Sequence, residues 1–423
     1  MGLLFIIARC LTSAVAALNF ESTSYRILGC GLVVALIAED MTVSHTGTGH
    51  FDYLFGSTLG IAVLDTIRFL LLARPLEEYR HETDEVPAYQ LPYIQRFFWL
   101  MSISPRGIGW SFKADHSVPS VEPHHLTRGA FVTSRLRRTF AYYLLFETAH
   151  LYIRCNPVFS SEEPLFSQGY FLGWLNTVAI PGSVYAGLNW TYSLSAVILV
   201  GSSLHEPRSW PVPFGKWKDA YTIRRFWGRT WHQFLRSTLT LFGPHQQKRR
   251  PWDRDSSSDS SNPKLKEREP WVKLYIRLCN AFLCSAFIHT CGDVVLQFKI
   301  WENPLPSTSP LQRVSHPNII GFSIRFFLLQ PLGVLVEEAI MEAGKRLGLR
   351  KGMWVKAIGY LWVSLWISYS AHFLIQDLKN AILTAYPVPE GRGAGVSVTV
   401  LERVANKLFG IDLAAAIRSW LVE

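Results

Sequence analysis

Two stretches of this chain run without a charged side chain for the length of a bilayer span or more. Residues 164–205 contain no Asp, Glu, Lys or Arg over 42 positions, and residues 357–376 are likewise uncharged over 20. A spanning helix needs about 20 apolar residues, so the longer stretch predicts two helices with a break at Pro181-Gly182. Shorter or charge-bearing apolar runs extend the pattern. They are 3–18 with Arg9 inside, 27–38, 55–73 with Asp65 and Arg68, 140–153 with Glu147 and His150, 276–292 edged by Arg277 and Asp293, and 319–340 with Arg325, Glu337 and Glu338. The first two are short enough to resemble signal segments, but Arg9 interrupts one and no small-residue cleavage site follows, so both read as retained helices. Backbone polar groups in lipid must be satisfied within the segment, which helices do. The pattern predicts an all-α polytopic membrane bundle of about eight transmembrane helices.

Polar segments separate these runs. Residues 74–91 are charged and loop-like. Residues 92–138 mix aromatic and basic side chains and end on Arg135, Arg137 and Arg138 before the next span. The Ser/Asp/Lys/Pro-rich segment 243–270 cannot bury a core and predicts a disordered loop. Basic residues beside the spans place both loops on the cytosolic side. In the tail, Val400, Val404, Leu408, Ile411 and Ala415 recur at helical spacing, which predicts an amphipathic helix on the membrane or on the bundle. The chain thus divides into N-terminal transmembrane helices (1–80), a polar and aromatic loop region (81–138), transmembrane helices (139–205), a region rich in candidate chemistry (206–293), and C-terminal transmembrane helices with the tail (294–423).

Composition narrows the class. Charged residues are 17% against about 25% in soluble domains, and aromatics are 13% with 15 Trp, as suits membrane–water interfaces. The formal charge is +10, yet a mean hydropathy of +0.14 argues against a soluble nucleic-acid binder. The six cysteines mostly lie in or beside apolar runs and form no CxxC pair, which argues against a disulfide framework or zinc site and favours buried free thiols. Asn189-Trp190-Thr191 reads as a chance sequon inside an apolar run.

Two segments carry candidate chemistry. One runs from Trp210 to Gln233 and concentrates aromatics and arginines before His232; the other, Cys284-Ser285-Ala286-Phe287-Ile288-His289, puts a histidine inside an apolar run. Intramembrane ionisable groups are functional by default. A neutral imidazole can take a hydroxyl proton near neutral pH, and apolar surroundings keep it neutral. No Ser or Cys sits in a nucleophile setting, so direct transfer between two substrates fits better than a covalent intermediate. Glu337, Glu338 and His372 read as structural, and Asp65 and Arg68, three apart, predict a pair on one helix face.

Phe226-Trp227-Gly228-Arg229-Thr230-Trp231-His232-Gln233, followed by Ser285-Ala286-Phe287-Ile288-His289, resembles the wax synthase-like branch of the membrane-bound O-acyltransferase superfamily. Arg106-Gly107-Ile108-Gly109-Trp110 is similar to a segment of its fungal members. The resemblance implies an acyl-transfer tunnel inside the bundle and an endoplasmic reticulum address. It also implies that His289 is the buried general base. His232 falls where sterol and diacylglycerol acyltransferases carry the last Asn of Phe-Tyr-x-Asp-Trp-Trp-Asn, Phe226 and Trp231 match its aromatic positions, and Arg229 stands where those relatives have Asp. His232 is accordingly the second catalytic candidate, Trp231 and Phe226 position the acyl group or oxyanion, and Arg224, Arg225, Arg229 and Arg236 are candidates for the CoA phosphates.

The implied co-substrate is acetyl-CoA, with no permanently bound cofactor and no metal. The implied acceptor is a hydroxylated lipophilic terpenoid or meroterpenoid, as the fungal form of the motifs suggests. Trp174 and Trp190 could close a short acyl tunnel. A long-chain acyl-CoA:alcohol acyltransferase of the wax-ester type stays open, as does a transporter or non-catalytic scaffold, although no inverted repeat is visible.

Overall fold

The computed structural model describes residues 3–103, 107–111, 127–231, 233–239, 270–302, 320–348, 352–386 and 398–422. Among these the only departure from helix and loop is an isolated bridge between His81 and Trp110, so the fold is all-α as expected. The longer helices are α1 (Leu3–Ala17), α2 (Thr23–Val43), α3 (Gly49–Ile67), α4 (Tyr93–Met101), α5 (Arg128–Cys155), α6 (Tyr170–Gly201), α7 (Trp271–Glu302), α8 (Phe322–Arg346), α9 (Met353–Ala385), α10 (Val400–Phe409) and α11 (Leu413–Val422). Among the described residues four segments are long and apolar enough to cross a bilayer: Gly49–Leu72, Tyr170–Gly201, Trp271–Glu302 and Met353–Ala385. The other expected spans fall on α1, α2, α5 and α8, which are shorter or more charged. The 243–270 loop and Arg106 lie outside the described residues, Pro270 excepted.

The chain forms two compact units. The first comprises Met1–Ser117, Phe234–Glu302 and Phe327–Leu332. Its core draws Val33, Ile37 and Met41 from α2 and Phe55, Leu59 and Val63 from α3, each set repeating every four residues, with Cys291 and Val295 from α7. That period lines one face of a helix, and the core sits where the faces meet. A second cluster joins Phe69, Ala73, Leu76, Tyr79, Leu100 and Trp110, giving the charged segment after α3 an apolar anchor. Asp65 lies within electrostatic reach of Arg68, as the spacing predicts, and has two further polar neighbours. Arg9 Nη1 lies 3.8 Å from it and the Thr238 hydroxyl donates at 3.2 Å, while Arg68 Nε donates to the Tyr79 hydroxyl at 3.1 Å. Arg68 opens a π turn, Arg68–Leu72, that continues α3. Burial pushes the Tyr79 phenol above its ordinary value, and the Arg68 charge opposes the shift.

The second unit comprises Val118–Gln233, Asn303–Phe326 and Gly333–Glu423. The predicted break at Pro181-Gly182 does not occur: α6 runs unbroken through both residues. Proline removes one backbone donor, and in a membrane-type helix side-chain hydroxyls can satisfy freed carbonyls. The carbonyl left without a helical donor is that of Thr177, while the Ser183 hydroxyl donates to the Ile180 carbonyl at 2.8 Å. Helix α5 starts at Arg128, with Thr127 capping Ala130, so residues 128–138 are helical rather than loop. Arg135 is buried, over the Phe131 ring at 5.0 Å and donating to the Trp210 carbonyl. The tail forms two helices rather than one. A capping box of Thr399 and Glu402 opens α10, and Gly410 at φ 66° closes it. Non-glycine residues disfavour that left-handed conformation, which ends the helix there.

Candidate active site

Helices α3 and α7 meet at backbone distance, and small residues make this possible. A Cβ on Gly56 would lie 2.4 Å from the Cys291 carbonyl oxygen, one on Gly60 3.0 Å from Ile288 Cα, and one on Gly292 2.6 Å from the Tyr53 carbonyl oxygen. Gly56 and Gly60, four apart, form the small-residue stripe that draws apolar helices together in lipid. One turn before Gly56 stands Tyr53, and one turn before Gly292 stands His289.

The seam brings these two side chains together. The Tyr53 hydroxyl lies 3.1 Å from His289 Nδ1, and the imidazole tautomer decides which group donates. The rings are near parallel, with centroids 5.8 Å apart at 28°. Phe327 from α8 lies almost flat against the imidazole, at 4.6 Å and 16°. Tyr53 is buried and His289 half-buried. The neighbouring Ser285 hydroxyl donates to the Ala281 carbonyl at 3.0 Å, and that of Ser57 to Tyr53 at 2.9 Å. Both hydroxyls are engaged with the backbone of their own helices. The arrangement can hold a half-buried imidazole at a fixed tilt and hand it a hydrogen bond at one nitrogen.

The arginine- and aromatic-rich segment lies in the second unit. Thr222 accepts from Arg225 N at 3.1 Å and opens a helical turn, Ile223–Arg225, which passes into the π turn Phe226–Thr230 before Trp231 goes extended. The preceding loop, which contains Pro211 and Pro213, lies against this turn. Gly215 N donates to the Thr230 carbonyl at 2.9 Å, and a Cβ on Gly215 would lie 1.8 Å from the Arg229 carbonyl oxygen. The aromatic side chains then assemble. Phe226 stacks on Trp231 at 5.7 Å, Phe214 meets Trp231 edge-on at 5.6 Å, and Tyr185 packs on Phe214 at 4.5 Å. Trp217 Nε1 donates to the Tyr185 hydroxyl at 3.2 Å. From α8, Glu337 Oε2 accepts the Ile223 N–H at 2.6 Å and Glu338 pairs with Arg224. From α9, the Tyr360 hydroxyl donates to the Lys218 carbonyl at 2.6 Å.

Of the residues singled out in the sequence, Phe226 and Trp231 are thus in one ring stack. Arg224, Arg225 and Arg229 share one short turn, with Arg225 over the Tyr221 ring at 4.5 Å and Arg229 exposed. Arg236 belongs to the first unit, as does His289. His232 lies outside the described residues. Trp190 packs against Tyr143 and Phe146 between α5 and α6. The expected residue set did not include Tyr53 or the glycine seam, although the four-residue spacing of Gly56 and Gly60 is a readable signal. His372 packs edge-on against Phe166 at 5.0 Å.

The described residues are helical with bilayer-length apolar segments, and a histidine lies against aromatic rings inside one of them, features of a membrane-embedded protein. Comparison with known proteins gives similarities of two kinds. The sequence model of the membrane bound O-acyl transferase family matches residues 210–306, which include both His232 and His289. "Acetyltransferase ple2" of Rhodocybe pseudopiperita is 27% identical over 348 residues, covering 80% of this chain and 81% of the relative. "Acetyltransferase eriL" of Hericium erinaceus is 26% identical over 374 residues, covering 87% and 89%. "Acetyltransferase TRI7" of Fusarium sporotrichioides is 28% identical over 206 residues, covering 47% and 40%. No solved structure gives a significant match. The chain is thus similar to the membrane bound O-acyl transferase family over residues 210–306 and, over most of its length, to proteins named acetyltransferases.

Proposed function

We propose that the protein transfers the acetyl group of acetyl-CoA to a hydroxyl of a lipophilic terpenoid or meroterpenoid, within a multi-pass bundle of the endoplasmic reticulum. The observation that carries the reading is His289, held among rings within the matched region of a chain whose relatives are named acetyltransferases.

His289 removes the acceptor hydroxyl proton as that oxygen attacks the thioester carbonyl. The carbonyl becomes a tetrahedral oxyanion, for which His232 or the Trp231 indole N–H is the donor, with Phe226 backing Trp231. The C–S bond then breaks. The proton on His289 passes to the CoA sulfur, and the products are the acetyl ester and free CoA thiol. Arg224, Arg225, Arg229 and Arg236 supply positive charge for the CoA phosphates.

The test is an acyl-CoA chain-length series on membranes carrying the protein, with hydroxylated terpenoids and fatty alcohols and ester mass as readout. Turnover confined to acetyl-CoA and terpenoids is the expected result. Turnover of palmitoyl-CoA with fatty alcohols would replace the reading with a wax-ester synthase. Ester formation that persists in His289→Ala would remove the proposed base, and no ester from any pair would move attention to transport.

A further inference from the structure

We propose that Arg225 and Lys356, both set against the ring of Tyr221, form a binding site for phosphate groups, and that the phosphates it takes are those of acetyl-CoA. The inference rests on the acyl-CoA reading above and adds to it a residue of α9, Lys356, and the ring that gathers the two charges.

Lys356 is the last charged residue before the uncharged run 357–376, so it stands in the first turn of α9, where the apolar segment begins. Residues three and four positions further on share its helix face. Both fasten that face to the turn that precedes Ile223. A Cβ on Gly359 would lie 2.3 Å from the Tyr221 carbonyl oxygen, and the Tyr360 hydroxyl donates to the Lys218 carbonyl at 2.6 Å. The Lys356 ammonium then lies 5.7 Å from the centroid of the Tyr221 ring, and the Arg225 guanidinium lies over the same ring at 4.5 Å. Tyr360 meets that ring edge-on at 6.1 Å. Close helix packing thus brings together two cations 131 positions apart in the chain.

An aromatic face attracts a cation within about 6 Å, but it supplies no negative charge. Two like charges gathered on one ring also repel each other. Among the described residues no carboxylate pairs with Arg225 or Lys356, and neither side chain makes a hydrogen bond, whereas the neighbouring Arg224 pairs with Glu338. A phosphate supplies what the two cations lack, a negative charge and several acceptor oxygens. The guanidinium can take two of those oxygens in its plane, and the ammonium acts as a point charge beside them. CoA carries more than one phosphate, so the two cations need not share a single group. A polyanion is costly to bury, and the edge of an apolar segment lets its remaining charges stay in water.

The experiment uses the full chain in phosphatidylcholine nanodiscs, with acetyl-CoA as the probe and its calorimetric Kd as the readout, so it needs no acceptor. It compares Lys356→Ala, Lys356→Arg, Arg225→Gln and Lys345→Ala. Lys345 is an exposed lysine of α8 paired with Glu342, and it controls for the loss of one positive charge elsewhere. For Lys356→Ala and Arg225→Gln the expected result is a Kd raised about tenfold at low salt, with the melting temperature unchanged. The difference should shrink at high salt, because screening weakens exposed charges. Lys356→Arg should recover most of the affinity, and Lys345→Ala should bind as the wild type does. A wild-type Kd in Lys356→Ala would overturn the inference and leave the acyl-CoA reading in place. A wild type that does not bind acetyl-CoA would overturn that reading, and this inference with it. An unchanged Kd, beside a melting temperature that phosphatidylglycerol raises in the wild type but not in Lys356→Ala, would give the site to a lipid headgroup and overturn its assignment to acetyl-CoA. A raised Kd that persists at high salt and comes with a lower melting temperature would make Lys356 a packing residue.

Discussion

Glu337 accepts the backbone N–H of Ile223 at 2.6 Å, across 114 positions of sequence. A helix start leaves its first N–H groups without intrahelical partners, and a carboxylate there satisfies one of them and complements the helix dipole. The next residue, Glu338, pairs with Arg224. Two consecutive acids on α8 thus hold the turn from which Phe226 and Trp231 project. Glu337→Ala should cost about 1–3 kcal/mol through the lost acceptor, and Glu337→Gln should restore much of it. The readout is the melting temperature together with ester formation. Full stability in Glu337→Ala would show that the turn holds itself.

Arg224 separates two roles. Its pair with Glu338 is partly exposed, so the contribution to stability is roughly 0–1 kcal/mol and Arg224→Ala should barely change the melting temperature. If the guanidinium serves the CoA phosphates, KM for acetyl-CoA should rise about tenfold at low salt with kcat retained. An unchanged KM would take Arg224 out of the CoA group.

The two histidines should fail differently from a binding residue. His289→Ala should lower kcat by about 10²–10⁴ in protein that still folds, the usual range for a general base. His232→Ala should lower kcat more than it raises KM for acetyl-CoA. A pure KM effect would assign His232 to donor binding.

The glycine seam predicts a contrast between two substitutions to alanine. Gly292→Ala places a methyl 2.6 Å from the Tyr53 carbonyl and should cost about 1–3 kcal/mol through forced separation of α3 and α7. Gly31→Ala, in the middle of α2 with no atom near its Cβ position, should be neutral or stabilise by about 0.5–1 kcal/mol through helix propensity. Equal thermal shifts for the two would show that the seam is not close-packed.

Lys379 is buried, and its ammonium donates to the carbonyls of Val158, Ser161 and Glu163. It holds the loop after α5 against α9. Lys379→Met keeps the aliphatic stem and leaves the carbonyls unsatisfied, so stability should fall by about 1–3 kcal/mol. Thermal unfolding of the purified variant tests this, and an unchanged melting temperature would mean that water replaces the ammonium.

The positions of two apolar helices were legible, though not their ends. Runs at 276–292 and 357–376 became the middles of α7 and α9, because hydropathy is a property of consecutive residues. The break predicted at Pro181 does not occur, because a proline removes only one backbone donor while the rest of a 32-residue apolar helix keeps its own hydrogen bonds. The tail split at Gly410 because a left-handed glycine interrupts the backbone while the apolar spacing runs on. The spacing of Asp65 and Arg68 was a readable sign that their charges interact, whereas the approach of Arg9, Thr238 and Tyr79 from elsewhere in the chain was not.

By itself the sequence determined the helical class, the apolar character and the acyltransferase resemblance, through composition, hydropathy and the motif from Phe226 to His289. Only the tertiary structure decided that Tyr53 meets His289 and that Glu337 caps Ile223. Those contacts join residues more than a hundred positions apart. Their existence depends on backbones approaching within a few ångströms at Gly56, Gly60 and Gly292, and on α8 lying beside one short turn. Such distances are set by the packing of whole helices, and no stretch of neighbouring residues encodes them.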